Sequence, residues 1–180
     1  NLPVVLAVDR AGLVGSDGET HQGIFDLSYL GSTPNMTVMA PKHKWELADM
    51  LRFALSYDGP IALRYPRGTA YDGFEEYRAP IVYGKSEMIV REKDIALLPA
   101  GHMFEEAVKI RELLKERGYS CTIVNARFVK PIDEDMIREL SKDHDWIVTL
   151  EENVQTGGFG ERVQTFACRE NLPVRVLVSA

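Results

Sequence analysis

The stretch IALLPAGHMFEEAVKIRELLKERGYSCTIV, residues 95–124, decides the fold class of this 180-residue chain. Its apolar run 95–98 is typical of a strand covered on both faces, as in a parallel sheet. Residues 103–117 carry apolar side chains at helical spacing, Gly118 ends that pattern, and 121–124 is apolar again. A strand, a helix and a strand in this order predict a parallel pair joined by a right-handed crossover.

The same alternation extends over the rest of the chain. A run covered on both faces is expected at 2–8, and further strands are predicted at 37–40, 61–65, 146–150 and 174–178. Three helix starts are also predicted, with Thr20 as the cap of a short helix to Leu27, Pro41 in the first turn of a second helix, and Asp133 as the cap of a third.

A polar segment at 68–80, rich in glycine, aspartate and glutamate, predicts a linker with a boundary near Ile81. We therefore expect an α/β chain of two parallel or mostly parallel sheet domains with helices on both faces, 1–80 and 81–180, the first incomplete. Because strand-like runs lie at both ends of the chain, we also expect both ends to have been cut from a longer polypeptide.

The composition limits the classes of partner. With 21 basic and 27 acidic side chains the net charge is -6, which argues against a nucleic-acid or anionic-membrane surface. The two cysteines, Cys121 and Cys168, have neither zinc-ligand nor CxxC spacing, and no apolar run approaches the roughly 20 residues of a membrane span. A reducing cytoplasmic setting is the default expectation, and any bound phosphate must be met by local arginines.

Three polar side chains are expected to line one cleft: Arg10, His21 and Arg67. Arg10 and Arg67 follow two predicted strands, whose carboxyl ends are where ligands bind in parallel sheets. Two converging arginines indicate a phosphorylated ligand. His21, at a predicted helix start, would keep a neutral imidazole for proton transfer, and Asp17 could orient it or bind a substrate hydroxyl. The alternatives are a structural helix-end histidine and solvated or salt-bridged surface arginines.

A second polar feature is the pair Glu151-Glu152 with the glycine-rich turn 157–160. Backbone amides at such a turn could hold an anion, although a packing or subunit-contact role fits the spacing better. The three remaining histidines have no partner pattern and are interpreted as structural or solvent-exposed: His43, His102 and His144.

Six segments of the chain, taken in order, carry a resemblance to one enzyme family. They are DRAGLVG at 9–15, DGETHQGIFDLSYL at 17–30, PNM at 34–36, RYPRG at 64–68, RFVKP at 127–131 and the turn at 151–160. By these segments the chain is similar to the 1-deoxy-D-xylulose-5-phosphate synthases, transketolase-like enzymes that depend on thiamine diphosphate. In related transketolases a proline normally follows the glutamine of the histidine element, whereas this chain continues Gly23-Ile24-Phe25-Asp26.

This resemblance implies a reaction and a role for each candidate residue. It implies the condensation of pyruvate with D-glyceraldehyde 3-phosphate, with loss of CO2, to 1-deoxy-D-xylulose 5-phosphate, a precursor of isoprenoids, thiamine and pyridoxal. Arg10 and Arg67 would clamp the aldehyde's phosphate and Asp17 its hydroxyl. His21 would contact the reacting oxygen and shuttle its proton.

The resemblance also implies which parts lie elsewhere. Thiamine diphosphate and Mg2+ would be bound by the full-length enzyme, since this chain has neither the Gly-Asp-Gly to Asn motif nor the pyrimidine-domain glutamate. No cofactor-binding or metal-binding residue is therefore expected here, and the isolated chain should be inactive. A homodimer through the pyrimidine and C-terminal domains is implied. The alternatives are another transketolase-like enzyme, a 2-oxo-acid dehydrogenase beta subunit, and a non-catalytic assembly or dimerisation module.

Overall fold

The computed structural model describes residues 2–180 and folds them into two sheets with helices packed against them. In chain order the elements are β1 (Val5–Val8), α1 (Asp26–Ser32), β2 (Thr37–Met39), α2 (Lys44–Ser56), β3 (Ile61–Arg64), β4 (Glu87–Val90), β5 (Asp94–Pro99), α3 (Met103–Glu116), β6 (Cys121–Asn125), β7 (Phe128–Lys130), α4 (Glu134–Leu140), β8 (His144–Leu150), α5 (Phe159–Arg169) and β9 (Arg175–Ser179).

The first sheet has the strand order β1-β3-β2-β7. Strands β1 and β2 run parallel to β3, with Val8 opposite Arg64, while β7 is antiparallel to β2. Because β1 and β3 are parallel neighbours, the residues that follow them emerge at the same edge of the sheet. The second sheet has the order β4-β6-β5-β8-β9, in which only the β4–β6 pair is antiparallel. The prediction of mostly parallel α/β sheets is confirmed.

The two sheets share one apolar core. Leu27 and Val38 from the first half of the chain pack in the same cluster as Leu98, Ile147 and Phe159 from the second. Strand β7 comes from the second half of the chain but completes the first sheet. The two halves are therefore joined by a strand pair and by continuous apolar contact, in addition to the connecting segment.

A group of charged side chains is buried where the halves meet. We call the charged Lys42, Glu46, Glu87 and Arg127, together with the neutral amide of Asn125, the buried charge cluster. The Lys42 ammonium lies 3.0 Å from Glu46 and 2.6 Å from Glu87, and the Arg127 guanidinium lies 2.8 Å and 3.0 Å from the same two carboxylates. Two cations thus balance two anions, which is the condition for keeping charges out of water.

Three local predictions are wrong. Strand β1 is an edge strand, so Val4 and Leu6 are 43% and 37% exposed and the run is not covered on both faces. Helix α1 begins at Asp26 after an uncapped Phe25, not after Thr20. Helix α2 begins at Lys44, so Pro41 precedes it.

Side-chain caps mark the starts of α2 and α4. At α2 the His43 imidazole accepts a hydrogen bond from the Glu46 amide, which is a side-chain cap of an orphan helix donor. The predicted cap at Asp133 is confirmed, because its carboxylate accepts from the Met136 amide at 3.3 Å. Within residues 2–180, every helix is too short or too polar to traverse a lipid bilayer.

Candidate functional site

Three of the four predicted site residues meet at the edge of the first sheet. Arg10 follows β1 and Arg67 follows β3, and both guanidinium groups donate to the same carboxylate oxygen, Oδ1 of Asp17. The Arg10 and Arg67 side chains are 35% and 50% exposed, whereas that of Asp17 is enclosed. Each arginine therefore keeps donors that a ligand can reach while Asp17 holds the two together.

The backbone at Arg10 is strained. Its φ of 60° lies in the left-handed region, which costs a side chain other than glycine about 1–2 kcal/mol. The turn brings Ala11 back to the first sheet, where its amide donates to the Tyr65 carbonyl at 3.1 Å. Strain of this kind is concentrated at functional sites, and here it coincides with the arginine that contacts Asp17.

The electrostatics of Asp17 are set by its two partners. Burial opposes ionisation of the carboxyl, but the hydrogen bonds and charges of Arg67 and Arg10 outweigh burial and hold the pKa of Asp17 below its usual value. Its second oxygen, Oδ2, is buried and has no hydrogen-bond partner within residues 2–180. A buried acceptor without a donor is costly, which marks this carboxylate as an unusual feature of the loop.

His21 lies on the same loop but outside the cluster. It is exposed, and its Nδ1 lies 2.8 Å from the Thr20 hydroxyl, with no hydrogen bond to Arg10, Asp17 or Arg67 in the part of the chain that the structure describes. Because α1 begins only at Asp26, the prediction that His21 sits at a helix start and feels the helix dipole is wrong.

The neighbouring Gln22 shapes the loop instead. Its side-chain oxygen accepts from the Val14 amide at 2.8 Å, and its side-chain amide donates to the Val14 and Gly18 carbonyls at 3.0 and 2.8 Å. The Asp17 amide in turn donates to the Val14 carbonyl at 2.9 Å. Gln22 therefore closes the loop that carries Asp17, a role that its sequence context does not reveal.

A cavity of about 740 Å³ opens beside Arg67, between the two halves of the chain. Its walls include Asp9 and Tyr65 from the first half, and His102 and Glu152 from the second. The volume of this cavity is in the range of small-molecule sites. The cavity lies at the edge of the first sheet where the parallel strands end, which is where such sheets bind ligands.

His102 and Glu152 form a pair that the sequence did not predict. The His102 Nε2 lies 2.5 Å from Oε2 of Glu152, and the same oxygen accepts from the Leu13 amide at 3.2 Å. The residues are 50 positions apart in the chain, which explains why no local pattern reveals them.

Arg64 is structural rather than part of the cleft. Its side chain is 1% exposed and donates from Nε to Asp26 at 2.9 Å. Its second terminal nitrogen donates to the carbonyls of Gly23 and Glu152 at 2.8 and 2.6 Å. The buried guanidinium thus ties α1, the histidine loop and the second half of the chain together.

The glycine-rich turn before α5 holds an anion that belongs to the chain itself. The Glu151 carboxylate accepts from the Phe159 amide at 2.8 Å and from the Gly160 amide at 2.7 Å. Burial nevertheless raises the pKa of Glu151, and these hydrogen bonds offset that effect only in part. The turn is thus used for internal packing, which is the alternative favoured by its spacing.

The described polar groups of this region are arginines, a carboxylate and an imidazole, and they do not form a metal-ligand cluster. Within residues 2–180, no group of three or more His, Cys, Asp or Glu side chains is placed to hold a metal ion. What this region offers is a pair of arginines, an enclosed carboxylate and an exposed imidazole, which suit a phosphorylated ligand with a hydroxyl group.

Two family models match the chain. Residues 1–71 match "Transketolase, pyrimidine binding domain", and residues 84–179 match "Transketolase, C-terminal domain". Similar curated proteins carry the name 1-deoxy-D-xylulose-5-phosphate synthase. That of Lachnoclostridium phytofermentans is 55% identical over 94% of this chain and 27% of its own length. That of Aquifex aeolicus is 46% identical over 98% of this chain and 28% of its own length. The chain thus spans just over a quarter of these relatives.

Solved structures of transketolases share the fold. One titled "Split gene transketolase, inactive beta4 tetramer" superposes with a TM-score of 0.87 at 26% identity, over 97% of this chain and 56% of that one. The transketolase of Campylobacter jejuni superposes with a TM-score of 0.74 at 18% identity, over 96% of this chain and 26% of its own.

Proposed function

Because the chain belongs to the transketolase family, we propose that it carries the acceptor-substrate part of the active site of a 1-deoxy-D-xylulose-5-phosphate synthase. In this proposal residues 1–80 belong to the pyrimidine-binding domain and residues 81–180 to the C-terminal-type domain. The reaction is that of the whole protein, since the chain spans about 27% of the length of its relatives.

The proposed reaction joins pyruvate to D-glyceraldehyde 3-phosphate. CO2 leaves pyruvate, and the remaining two-carbon unit forms a carbon–carbon bond to the aldehyde carbon, whose oxygen gains a proton, giving 1-deoxy-D-xylulose 5-phosphate. Thiamine diphosphate with Mg2+, when bound in the whole enzyme, supplies the stabilisation of the carbanion that decarboxylation leaves. The residues of this chain bind and orient the aldehyde, which is an effect on proximity and orientation.

The observation that carries the proposal is the meeting of Arg10 and Arg67 at Asp17. Two guanidinium groups and one carboxylate leave a local charge of about +1, in a chain whose net charge is -6. A phosphate monoester, with a charge of about -2, would be attracted there by charge-assisted hydrogen bonds. In this proposal Asp17 would bind the substrate hydroxyl, and the exposed His21 would contact the reacting oxygen.

Replacing Arg67 by alanine in the full-length enzyme tests this assignment. Loss of hydrogen bonds to a charged group costs about 1.5–3 kcal/mol, so the KM for D-glyceraldehyde 3-phosphate should rise roughly 10- to 150-fold. The KM for pyruvate should stay the same. Arg52→Ala is the control, because Arg52 is exposed and its ion pair among residues 2–180 is with Asp49. An unchanged KM for the aldehyde in Arg67→Ala rules out the phosphate clamp.

The competing function is assembly without catalysis. The solved split-gene transketolase named as an inactive β4 tetramer and the exposed apolar residues of edge strand β1 favour it. Under this alternative Arg67→Ala leaves the kinetics unchanged and alters the oligomeric mass measured by light scattering. Our proposal includes a homodimer formed through both domain types and a cytoplasmic location.

The proposal also predicts how the isolated chain behaves with the cofactor. Since the proposal places the cofactor-binding motifs in other parts of the enzyme, titration calorimetry of the isolated chain with Mg2+ and thiamine diphosphate should detect no tight binding. A micromolar site in this experiment contradicts the proposal that the cofactor is held by other parts of the enzyme. Two enzymatic alternatives remain, another transketolase-like enzyme and a 2-oxo-acid dehydrogenase beta subunit. An assay of which donor substrate the full-length enzyme accepts distinguishes them from the proposal.

A further inference from the structure

The Glu152 carboxylate, from the second half of the chain, contacts the loop that carries Asp17. Oε2 of Glu152 accepts from the Leu13 amide at 3.2 Å and lies 2.5 Å from Nε2 of His102. The Glu152 and His102 side chains are 30% and 27% exposed and line the same cavity as Arg67. Neither residue has a part in the proposed clamp, which lies in the first half of the chain.

The backbone at this contact fits the carboxylate closely. Gly12 has a φ of +75°, and a Cβ at this position would fall inside the Glu152 carboxylate. Gly12 is also paired with Gly23 in both directions, with N–H to carbonyl distances of 2.9 and 3.0 Å. Glu152 thus lies against the closed base of the loop, at the point where its two arms come together.

A continuous set of hydrogen bonds leads from this base to the clamp. Leu13, which donates to Glu152, precedes Val14, and Val14 is tied to Gln22 through both its amide and its carbonyl. The Asp17 amide donates to the Val14 carbonyl at 2.9 Å, and the Asp17 carboxylate receives both arginines. The base of the loop and Asp17 are therefore connected by consecutive backbone and side-chain hydrogen bonds.

We propose that Glu152, held in place by His102, is a positioning residue that fixes the Asp17 loop from the C-terminal half of the chain. The inference rests on the proposed phosphate clamp and adds to it a contribution from residues 81–180. Through the Glu152–His102 pair, the second half of the chain fixes the position of the Asp17 side chain between Arg10 and Arg67.

Other contacts hold the two halves together when the Glu152 side chain is removed. The Glu152 carbonyl still accepts from Arg64 at 2.6 Å, the Val154 amide donates to the Ile24 carbonyl at 2.7 Å, and the Ser28 hydroxyl donates to Thr156 at 2.7 Å. Truncation of the carboxylate therefore acts on the loop rather than on the packing of the two halves.

Two readouts on the 180-residue chain test the inference, neither of which depends on turnover. The first is hydrogen exchange at the Leu13 amide, and the second is calorimetric binding of glycerol 3-phosphate as a probe. Glu152→Ala should raise Leu13 exchange and weaken probe binding, each about tenfold, because a hydrogen bond to a charged acceptor is lost. Glu152→Gln keeps one acceptor oxygen, so it should restore part of the Leu13 protection and part of the probe affinity. His102→Ala should raise Leu13 exchange and weaken probe binding less than Glu152→Ala does.

The matched control is Glu106→Ala. Glu106 lines the same cavity but is half-exposed and pairs with Lys109 at 2.8 Å, so its loss should leave both readouts within about twofold. Far-ultraviolet circular dichroism and the urea midpoint show whether each variant is folded. If Glu152→Ala leaves both Leu13 exchange and probe binding unchanged, or matches the control, the inference is overturned.

Comparison with Arg67→Ala separates this inference from the proposed function. If Arg67→Ala weakens probe binding and Glu152→Ala does not, the clamp stands and the positioning role is rejected. If Arg67→Ala has no effect, or the unaltered chain does not bind the probe, the proposed clamp fails in this chain. In that case, hydrogen exchange at the Leu13 and Asp17 amides alone shows whether Glu152 positions the loop.

Discussion

Replacing Lys42 by methionine should destabilise the fold far more than any surface lysine substitution. The Lys42 side chain is fully enclosed, and its ammonium contacts Glu46 at 3.0 Å and Glu87 at 2.6 Å. Methionine fills similar apolar space but leaves two carboxylates facing one guanidinium, that of Arg127. Removing one partner from a buried ion pair costs about 3–5 kcal/mol, because the remaining charge is left uncompensated.

Urea unfolding of the isolated chain, followed by circular dichroism, measures this loss. With a denaturant slope of about 2 kcal/mol per molar, the midpoint should fall by roughly 1.5–2.5 M. Lys109→Met is the matched control, because Lys109 also contacts two carboxylates, at 3.0 and 2.8 Å, but its side chain is 56% exposed. Exposed pairs contribute at most about 1 kcal/mol, so this midpoint should move by about 0.5 M or less.

A double-mutant cycle with Glu87→Gln tests whether charge balance is the cause. If the two sites act through their shared ion pair, the double variant should be less destabilised than the sum of the single variants, by about 1–3 kcal/mol. The reasoning is refuted if Lys42→Met behaves like Lys109→Met, or if the two losses simply add.

Two further predictions concern other carboxylates. Burial opposes ionisation of Glu46, but the charges of Lys42 and Arg127 outweigh burial and lower the pKa of Glu46 below its usual 4.5. Ionised Glu46 therefore stabilises the folded chain above pH 4.5, and this stabilisation is lost as the pH falls. Urea midpoints measured between about pH 3 and pH 7 should therefore fall in acid more steeply for the unaltered chain than for Lys42→Met, and equal slopes contradict this. Glu151→Ala leaves the Phe159 and Gly160 amides unpaired at the start of α5 and should cost about 2–4 kcal/mol in the same assay. Glu170→Ala is the control, because it removes the surface ion pairs of Glu170 with Arg138 and Arg169. If Glu151→Ala lowers the urea midpoint no more than Glu170→Ala does, the buried role of Glu151 is disproved.

Much of the fold could be predicted because its signals are local. The strands β5 and β6 and the helix α3 have apolar patterns of the right period, and Asp133 is a strong helix cap. The meeting of Arg10 with Arg67 follows from parallel neighbours in a sheet, since the ends of such strands lie together.

The errors arise where distant residues decide the structure. Thr20 resembles a helix cap, but Gly23 bonds to Gly12 across the loop and delays the helix to Asp26. Strand β7, of three residues, was not predicted because its partner β2 lies far away in the chain, and the short β4 was also not predicted. The contact of Glu152 with Leu13 spans 139 positions, so no motif could reveal it.

Strand β7 has a consequence for dividing this polypeptide. A cut near Ile81 leaves β2 with one edge unpaired, because the strand that covers it is encoded after the cut. An uncovered edge recruits strands from other molecules, so the first fragment produced alone should aggregate. Producing the second fragment together with the first supplies β7, which covers the open edge of β2. The two fragments are therefore suited to split-protein complementation rather than to separate production.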